Sequence, residues 1–481
     1  MNKKIVLVQP IAGFWGKLSG KVGLPSALLS IAALLDKEGY EIKIIDQRIE
    51  KEWKEILESE LAKKPLFVGV SSMTGSQILN ALEVSKVIKK NGGLCVWGGV
   101  HASLMPEQTL ENENVDIVVQ GEGEITLLEL AKALNGEMKL SDVKGIFYKE
   151  NGQKMRNAPR EFLDLNSLPD VPYHLVDVKR HIVDFEGKKF INFFSSRGCP
   201  YGCKFCYNVI YNHRRWRSIE AKTVIERITK LKADFKIEGV WFRDDNFFVD
   251  KKRAFEIMKG MKELGLFWGT SGARLDLLGT FDEEMIKAIN ESNCLFLFIG
   301  VESGSDKLLK TIGKDITREK ILDVNKRILS RINAKQRVNI MIGLPNETED
   351  DIKQTIDLCY KIMNENPHAL ISQYQIYTPY PGTDLYAYSL ENGFVEPTRL
   401  EDWGNYRFEV SNIPSISKKQ KELLRMLAFT TWFMDSKLDM FSNKKFVKLA
   451  AIMYKPIADY RIKHLSTFLP IDIKMAEIVG F

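Results

Sequence analysis

Short apolar runs alternate with helix-length amphipathic stretches in two separate series along this 481-residue chain. Neighbouring parallel strands need a crossover, usually a helix, so such alternation predicts α/β layers rather than a helical bundle or a β-sandwich. The first series has apolar runs at residues 4–8, 42–46, 66–71, 94–98 and 115–120, with helical patterns near 24–35 and 77–90. It predicts an open, doubly wound, Rossmann-like sheet over residues 1–145. The second series has runs at 190–196, 239–243, 266–272, 295–301, 338–343 and 372–377. Six strand-helix units predict a partial (β/α)6 barrel of the TIM type over residues 189–390, with functional residues where the strands end. Residues 146–188, which include the turn-prone Leu168-Pro169-Asp170-Val171-Pro172, read as a linker. Residues 391–481 lack the alternation and read as a helical C-terminal region.

Composition excludes several classes. A formal net charge of +6, with basic residues mixed among acidic ones, gives no footprint for nucleic acid. No run of about 18 apolar residues predicts a spanning helix, and residues 1–10 lack the apolar length of a secretory signal. The expected location is cytoplasmic. Three of the six cysteines, Cys199, Cys203 and Cys206, fall within eight residues, whereas Cys95, Cys294 and Cys359 sit in apolar stretches. In a reducing compartment the close group reads as a metal site and the scattered ones as small buried hydrophobes.

Small and polar residues gather where the first-series strands end. They are Ser71, Ser72, Thr74 and Gly75, then Gly98, Gly99 and His101, then Gly121, Glu122 and Gly123. Ligands on such sheets bind at the carboxyl ends of strands, where glycine lets a bulky group approach the backbone. In the second series, C-x3-C-x2-C follows the first strand. Three thiolates on a four-iron cubane leave one iron open to chelate a substrate. Zinc is the alternative reading of closely spaced thiolates, with His213 the nearest fourth ligand.

Ser196-Arg197-Gly198-Cys199-Pro200-Tyr201-Gly202-Cys203-Lys204-Phe205-Cys206-Tyr207 resembles the signature of the radical S-adenosylmethionine superfamily. The resemblance implies a [4Fe-4S] cluster on the three cysteines, S-adenosylmethionine on the open iron, and Tyr207 beside it. Later strand ends carry further family-like motifs. Arg243-Asp244-Asp245-Asn246-Phe247 stands where the family often has Gly-Gly-Glu, so Asp244 or Asp245 is expected to meet the methionine amino group. Arg274 is expected to neutralise its carboxylate. Glu302 and Ser303, within Gly300-Val301-Glu302-Ser303-Gly304, are expected at the ribose and carboxylate. Gly343, in Ile342-Gly343-Leu344-Pro345 before Glu347, is expected at the adenine. Each also has a plain structural reading: helix caps for the aspartates, an ion pair with a nearby Lys or Arg for Glu302, a simple turn for Gly343.

The first domain, through Gly98-Gly99-Val100-His101-Ala102-Ser103 and Val119-Gln120-Gly121-Glu122-Gly123-Glu124, is similar to the cobalamin-binding domain that precedes the barrel in one branch of that superfamily. None of the six histidines has Asp two positions before it, so the cobalt-ligating Asp-x-His-x-x-Gly loop is lacking. His101 is expected to touch the nucleotide tail or to cap the following helix. The resemblance implies a cobalamin-dependent radical enzyme, most commonly a methyltransferase that delivers a methyl group from methylcobalamin to an unactivated carbon after a 5'-deoxyadenosyl radical removes hydrogen. The alternative is a cyclase, rearrangement or oxidation enzyme that transfers no methyl. It also implies a small-molecule substrate and an external electron donor such as flavodoxin or ferredoxin. Aromatic and basic residues interleaved from 418 to 464 suggest a cap over the barrel mouth or peripheral membrane contact with a lipid or isoprenoid substrate.

Overall fold

The computed structural model describes residues 2–12, 22–406, 416–435 and 445–468, which divide into two compact units. The first is a seven-stranded sheet in the order β2-β1-β3-β4-β5-β6-β7. Its parallel strands are β1 (Lys4–Gln9), β2 (Glu41–Asp46), β3 (Val68–Ser71), β4 (Cys95–Gly98) and β5 (Ile117–Val119). Ile5, Val6, Leu7 and Val8 are wholly buried, as a strand covered on both faces requires. Helices α1 (Ser26–Lys37), α2 (Trp53–Ala62), α3 (Gln77–Lys90) and α4 (Val100–Leu104) lie on the crossovers, and α5 (Glu124–Leu134) follows β5. Helix α3 buries Ile78, Ala81, Leu82, Val84 and Ile88 on one face, the amphipathic pattern its sequence predicts.

Where a linker is expected from residue 146, the sheet continues instead. Strands β6 (Ile146–Glu150) and β7 (Gln153–Arg156) add in antiparallel fashion beside β5, and the unit runs to Ile182. It also takes back a segment starting at Glu396, inside the stretch expected to be a C-terminal helical region. Trp403, in a 3-10 turn over Leu400–Asn405, is fully buried there. Its Nε1 donates to Gln108 Oε1 at 2.6 Å, Gln108 Nε2 donates to the Pro397 carbonyl at 2.8 Å, and Asn112 Nδ2 donates to Glu401 Oε1 at 2.8 Å.

The second unit is a curled half-barrel. It opens with an antiparallel hairpin, β8 (Val183–Phe185) and β9 (Lys188–Phe193). After the small ribbon β10 (Ser196–Arg197) and β11 (Arg217–Ser218), the parallel strands β12 (Gly239–Phe242), β13 (Phe267–Arg274), β14 (Cys294–Glu302) and β15 (Lys335–Ile342) follow in spatial sequence. The expected sixth strand is split into β16 (Ala369–Ile371) and β17 (Gln375–Ile376), both parallel to β15. Helices α6 (Ala221–Phe235), α7 (Lys251–Glu263), α8 (Glu283–Glu291), α9 (Arg318–Arg327) and α10 (Glu349–Glu365) connect the strands. Side chains near the strand starts form an aromatic plug, in which Phe185, Phe190 and Phe296 pack against Trp241, Phe267 and Phe298. The opposite, carboxyl ends carry the polar residues. Helix α11 (Asp384–Glu391) follows, then α12 (Lys418–Thr430) and α13 (Lys445–His464), consistent with a helical C-terminal region.

Candidate active site

The cysteine loop leaves β9 and is fastened at both ends. Ser196 and Arg197 pair with Ser218 and Arg217 across the β10-β11 ribbon. Gly198 has φ of +83°, and a Cβ there would lie 2.0 Å from the Arg215 carbonyl, so the loop closes only on glycine. Each thiol meets an N–H donor. The Tyr201 amide and, at 3.7 Å, the Asn246 side-chain amide point to Cys199 Sγ. Arg274 Nη1 reaches Cys203 Sγ at 3.0 Å, and the Asn208 amide serves Cys206. Burial pushes the Cys199 thiol up and that of Cys206 to about 12. The N–H groups oppose that rise, and metal binding removes the thiol proton outright. Sulfurs ringed by donors suit the thiolates of an iron–sulfur cluster. Among the described residues no three His, Cys, Asp or Glu side chains converge on a single metal ion. A cubane presents a separate iron to each thiolate and needs no such convergence.

The remaining barrel-end residues divide by their surroundings. Asp244 is buried and saturated, accepting from the Ser195 amide at 2.7 Å, Ser195 Oγ at 2.5 Å and Ser196 Oγ at 2.7 Å. Burial raises its pKa although those bonds oppose the rise. Arg253 braces the same turn by donating to the Ser195 and Ile219 carbonyls, both at 2.7 Å. Asp245 is exposed and accepts from the Gly198 amide at 2.8 Å, with carboxylate capacity to spare. Neither aspartate caps the next helix; Asp250 caps α7. Arg274 is held on three sides: Nε and Nη2 grip Asp276, each at 3.0 Å, Nη1 reaches Cys203, and the guanidinium lies 3.7 Å over the Tyr201 ring. Burial works against its charge, but Asp276 and Cys203 outweigh it and hold the pKa above the usual value. Glu302, at φ of +73°, pairs with the buried Lys314, which also donates to the Gly300 carbonyl at 2.6 Å. Ser303 turns inward to the Ser305 amide and Thr355 Oγ1. The Gly343 amide donates to Glu347, whose carboxyl burial pushes up to about 8. Half-buried Tyr207 lies 6.0 Å from Tyr380.

In the first unit the strand-end residues form one compact turn. Ser72 donates both its amide and its Oγ to the Gly98 carbonyl, at 2.8 and 3.0 Å. Gly99 has φ of +98°, and a Cβ there would sit 2.5 Å from the Ser72 carbonyl. Thr74 Oγ1 meets His101 Nδ1 at 3.0 Å, so His101 joins the β3 and β4 loops. Its ring is fully buried, 5.4 Å from Trp403, and burial lowers its pKa to about 3. Through Nδ1 the buried ring ties the two loops together. Glu122 accepts from the Leu163 amide at 3.1 Å. Ser71 and Gly98 are half-buried, and beyond Gly121 nothing lies within 4 Å of where a Cβ would stand. That opening fits a glycine-lined slot for a cofactor tail.

Residues 193–359 match the Radical SAM superfamily and residues 18–131 match the B12 binding domain. An uncharacterised methyltransferase of Pyrococcus horikoshii is 30% identical over 466 residues, covering 94% of this chain and 97% of the relative. The chain belongs to the cobalamin-binding radical S-adenosylmethionine enzymes. The cytidylyl-2-hydroxyethylphosphonate methyltransferase of Streptomyces wedmorensis is 24% identical, covering 86% of each chain. In fold, this radical S-adenosylmethionine enzyme is similar to the methyltransferase TsrM from Kitasatospora setae, solved with cobalamin and a [4Fe-4S] cluster. That likeness has a TM-score of 0.68 at 19% identity, over 82% of this chain and 78% of the other. It is also similar to the cobalamin-dependent enzyme OxsB, with a TM-score of 0.74 at 18% identity, over 99% and 75%. Its cofactors are the cluster, S-adenosylmethionine and cobalamin. Sequence reasoning missed four residues that shape these sites: Asn246 at Cys199, Lys314 at Glu302, Tyr380 beside Tyr207, and Trp403 over His101. Of these, only Asn246 lay inside a motif already singled out.

Proposed function

We propose that the enzyme transfers a methyl group to an unactivated carbon of a small molecule, after a 5'-deoxyadenosyl radical has removed a hydrogen atom from that carbon. The geometric observation that carries the radical half is the set of N–H donors on all three thiols at the end of the first barrel strand. The transfer half is supported by similarity to the methyltransferases of Pyrococcus and Streptomyces. When bound, the cluster supplies the electron that cleaves S-adenosylmethionine and cobalamin supplies the methyl group. Cys199, Cys203 and Cys206 hold the cluster, with Arg274 and Asn246 orienting two of the sulfurs. Asp245, rather than the saturated Asp244, accepts from the methionine amino group. Glu302, fixed by Lys314, takes the ribose, and the Gly343 turn, fixed by Glu347, supports the adenine. A one-electron carrier such as flavodoxin or ferredoxin delivers the reducing equivalent.

Anaerobic turnover with methyl-labelled S-adenosylmethionine in a cell extract tests the reading: the label should appear in a product. Failure of the reconstituted protein to bind any corrinoid would overturn it. A second reading, oxidation or cyclisation without methyl transfer, is favoured by 25% identity over 426 residues to an anaerobic magnesium-protoporphyrin IX monomethyl ester cyclase of Cereibacter sphaeroides. Deoxyadenosine release with no label in product would select it. No helix among the described residues is long and apolar enough to cross a membrane. Leu449, Ile452, Met453, Ile457 and Tyr460 nevertheless leave α13 with an exposed apolar row. This row supports peripheral contact with a lipid surface, which liposome co-sedimentation of the full chain would detect.

A further inference from the structure

The half-barrel wall above the aromatic plug carries a cation, Arg243, with no carboxylate partner among the described residues. Along β12, Phe242 points outward to Phe193, Phe247 and Trp268, so Trp241 on one side of it and Arg243 on the other share the inner face. Trp241 stacks on Phe298 with ring centroids 5.8 Å apart and donates Nε1 to Ser271 Oγ at 2.7 Å. Arg243 lies 4.8 Å over the Trp241 ring and donates Nη1 to the same Ser271 oxygen at 3.2 Å. Asn192, in register with Trp241 on β9, is half-buried beside them. Among the described residues no carboxylate pairs with Arg243. The Arg243 side chain is open to solvent.

Bonded through Nη1 to Ser271, a solvent-facing guanidinium keeps further N–H donors to offer an anion. Its planar fork matches carboxylate and phosphoryl oxygens two at a time, and the Trp241 and Phe298 faces suit a flat or apolar body attached to them. The basic side chain at the cysteine loop is Arg274, bonded to Cys203 Sγ and paired with Asp276. We propose that Arg243, Ser271 and Trp241 form a substrate subsite that binds an oxyanion group, carboxylate or phosphoryl, carried on a planar or apolar body. The assignment rests on reading the barrel as the active site of a radical enzyme and adds the chemical class of its substrate.

Calorimetric titration of the anaerobically reconstituted, S-adenosylmethionine-saturated protein with phenylphosphonate and, separately, benzoate tests it. Saturable binding of at least one probe is expected, and which binds more tightly tells phosphoryl from carboxylate. Arg243→Gln should weaken the better probe at least tenfold, Arg243→Lys should retain part of the affinity, and the cluster absorbance and S-adenosylmethionine affinity should match wild type in both. Absence of saturable binding to wild type, or equal binding to Arg243→Gln, would refute the subsite. So would a tenfold loss of S-adenosylmethionine affinity in Arg243→Gln, which would move Arg243 to the methionine carboxylate. Corrinoid content measured on the same samples keeps the tests apart: protein that binds a probe but no corrinoid defeats methyl transfer and leaves the subsite standing.

Discussion

Replacing Arg274 with methionine removes the one side-chain donor that, among the described residues, reaches Cys203 Sγ, at 3.0 Å. The size of the effect follows from the pairing. Asp276 neutralises the guanidinium through two bonds of 3.0 Å, so the long-range field at the cluster largely cancels and the directed N–H···S bond remains. A hydrogen bond involving a charged group contributes about 1.5–3 kcal/mol. The reduced cluster, with one more electron on its sulfurs, gains more from that bond than the oxidised one; a difference of about 1 kcal/mol corresponds to roughly 40 mV for a one-electron couple. Arg274→Met should therefore lower the cluster's midpoint potential by roughly 40 mV, and Arg274→Lys by less, since it keeps a donor but loses the fork. The assay is potentiometric titration of the reconstituted protein followed by electron paramagnetic resonance, with iron content measured in parallel. An unchanged potential at full iron loading would refute the reasoning. Unchanged potential with weakened S-adenosylmethionine binding would return Arg274 to the methionine carboxylate.

Other outcomes follow from the same contacts. Asp244→Asn should leave buried donors of Ser195 or Ser196 poorly matched and destabilise the second unit by about 1–3 kcal/mol, whereas Asp245→Asn should leave unfolding unchanged and weaken S-adenosylmethionine binding; thermal melts and equilibrium binding separate the two. Trp403→Ala should cost about 3–5 kcal/mol in the first unit and release bound corrinoid by disturbing His101, with Trp403→Phe milder; denaturant melts and corrinoid absorbance would show it. Glu347 binds its proton more tightly folded, at about 8, than unfolded, so between about pH 4.5 and 8 the folded state holds more protons and stability falls as pH rises. Glu347→Gln should flatten the melting temperature across that window, and an unchanged slope would exclude Glu347 as its source.

What the sequence made legible was local, and what it hid was brought together from far apart. The cysteine spacing needs only eight residues, and the strands announce themselves through runs that are buried as predicted. The sixth barrel strand breaks because its hydrogen bonds are diverted: Tyr374 donates its amide to Thr431 Oγ1, 57 residues away, rather than to β15. Strand β7 carries no period-two signal because its residues are exposed or nearly so; it is held by its antiparallel ladder to β6. The plain reading of Glu302 as half of an ion pair was sound, and Lys314, 12 residues on, is the partner. Arg274 shows the limit most clearly. Its grip on Asp276 spans two residues and was open to inspection, but its reach to Cys203 spans 71, and only that second contact turns a basic residue at a strand end into a fixed donor for a cluster ligand. Arg243 is the converse case. Its meaning lies in its having no carboxylate partner among the described residues, and such a gap appears only once the neighbouring strands are in register around it.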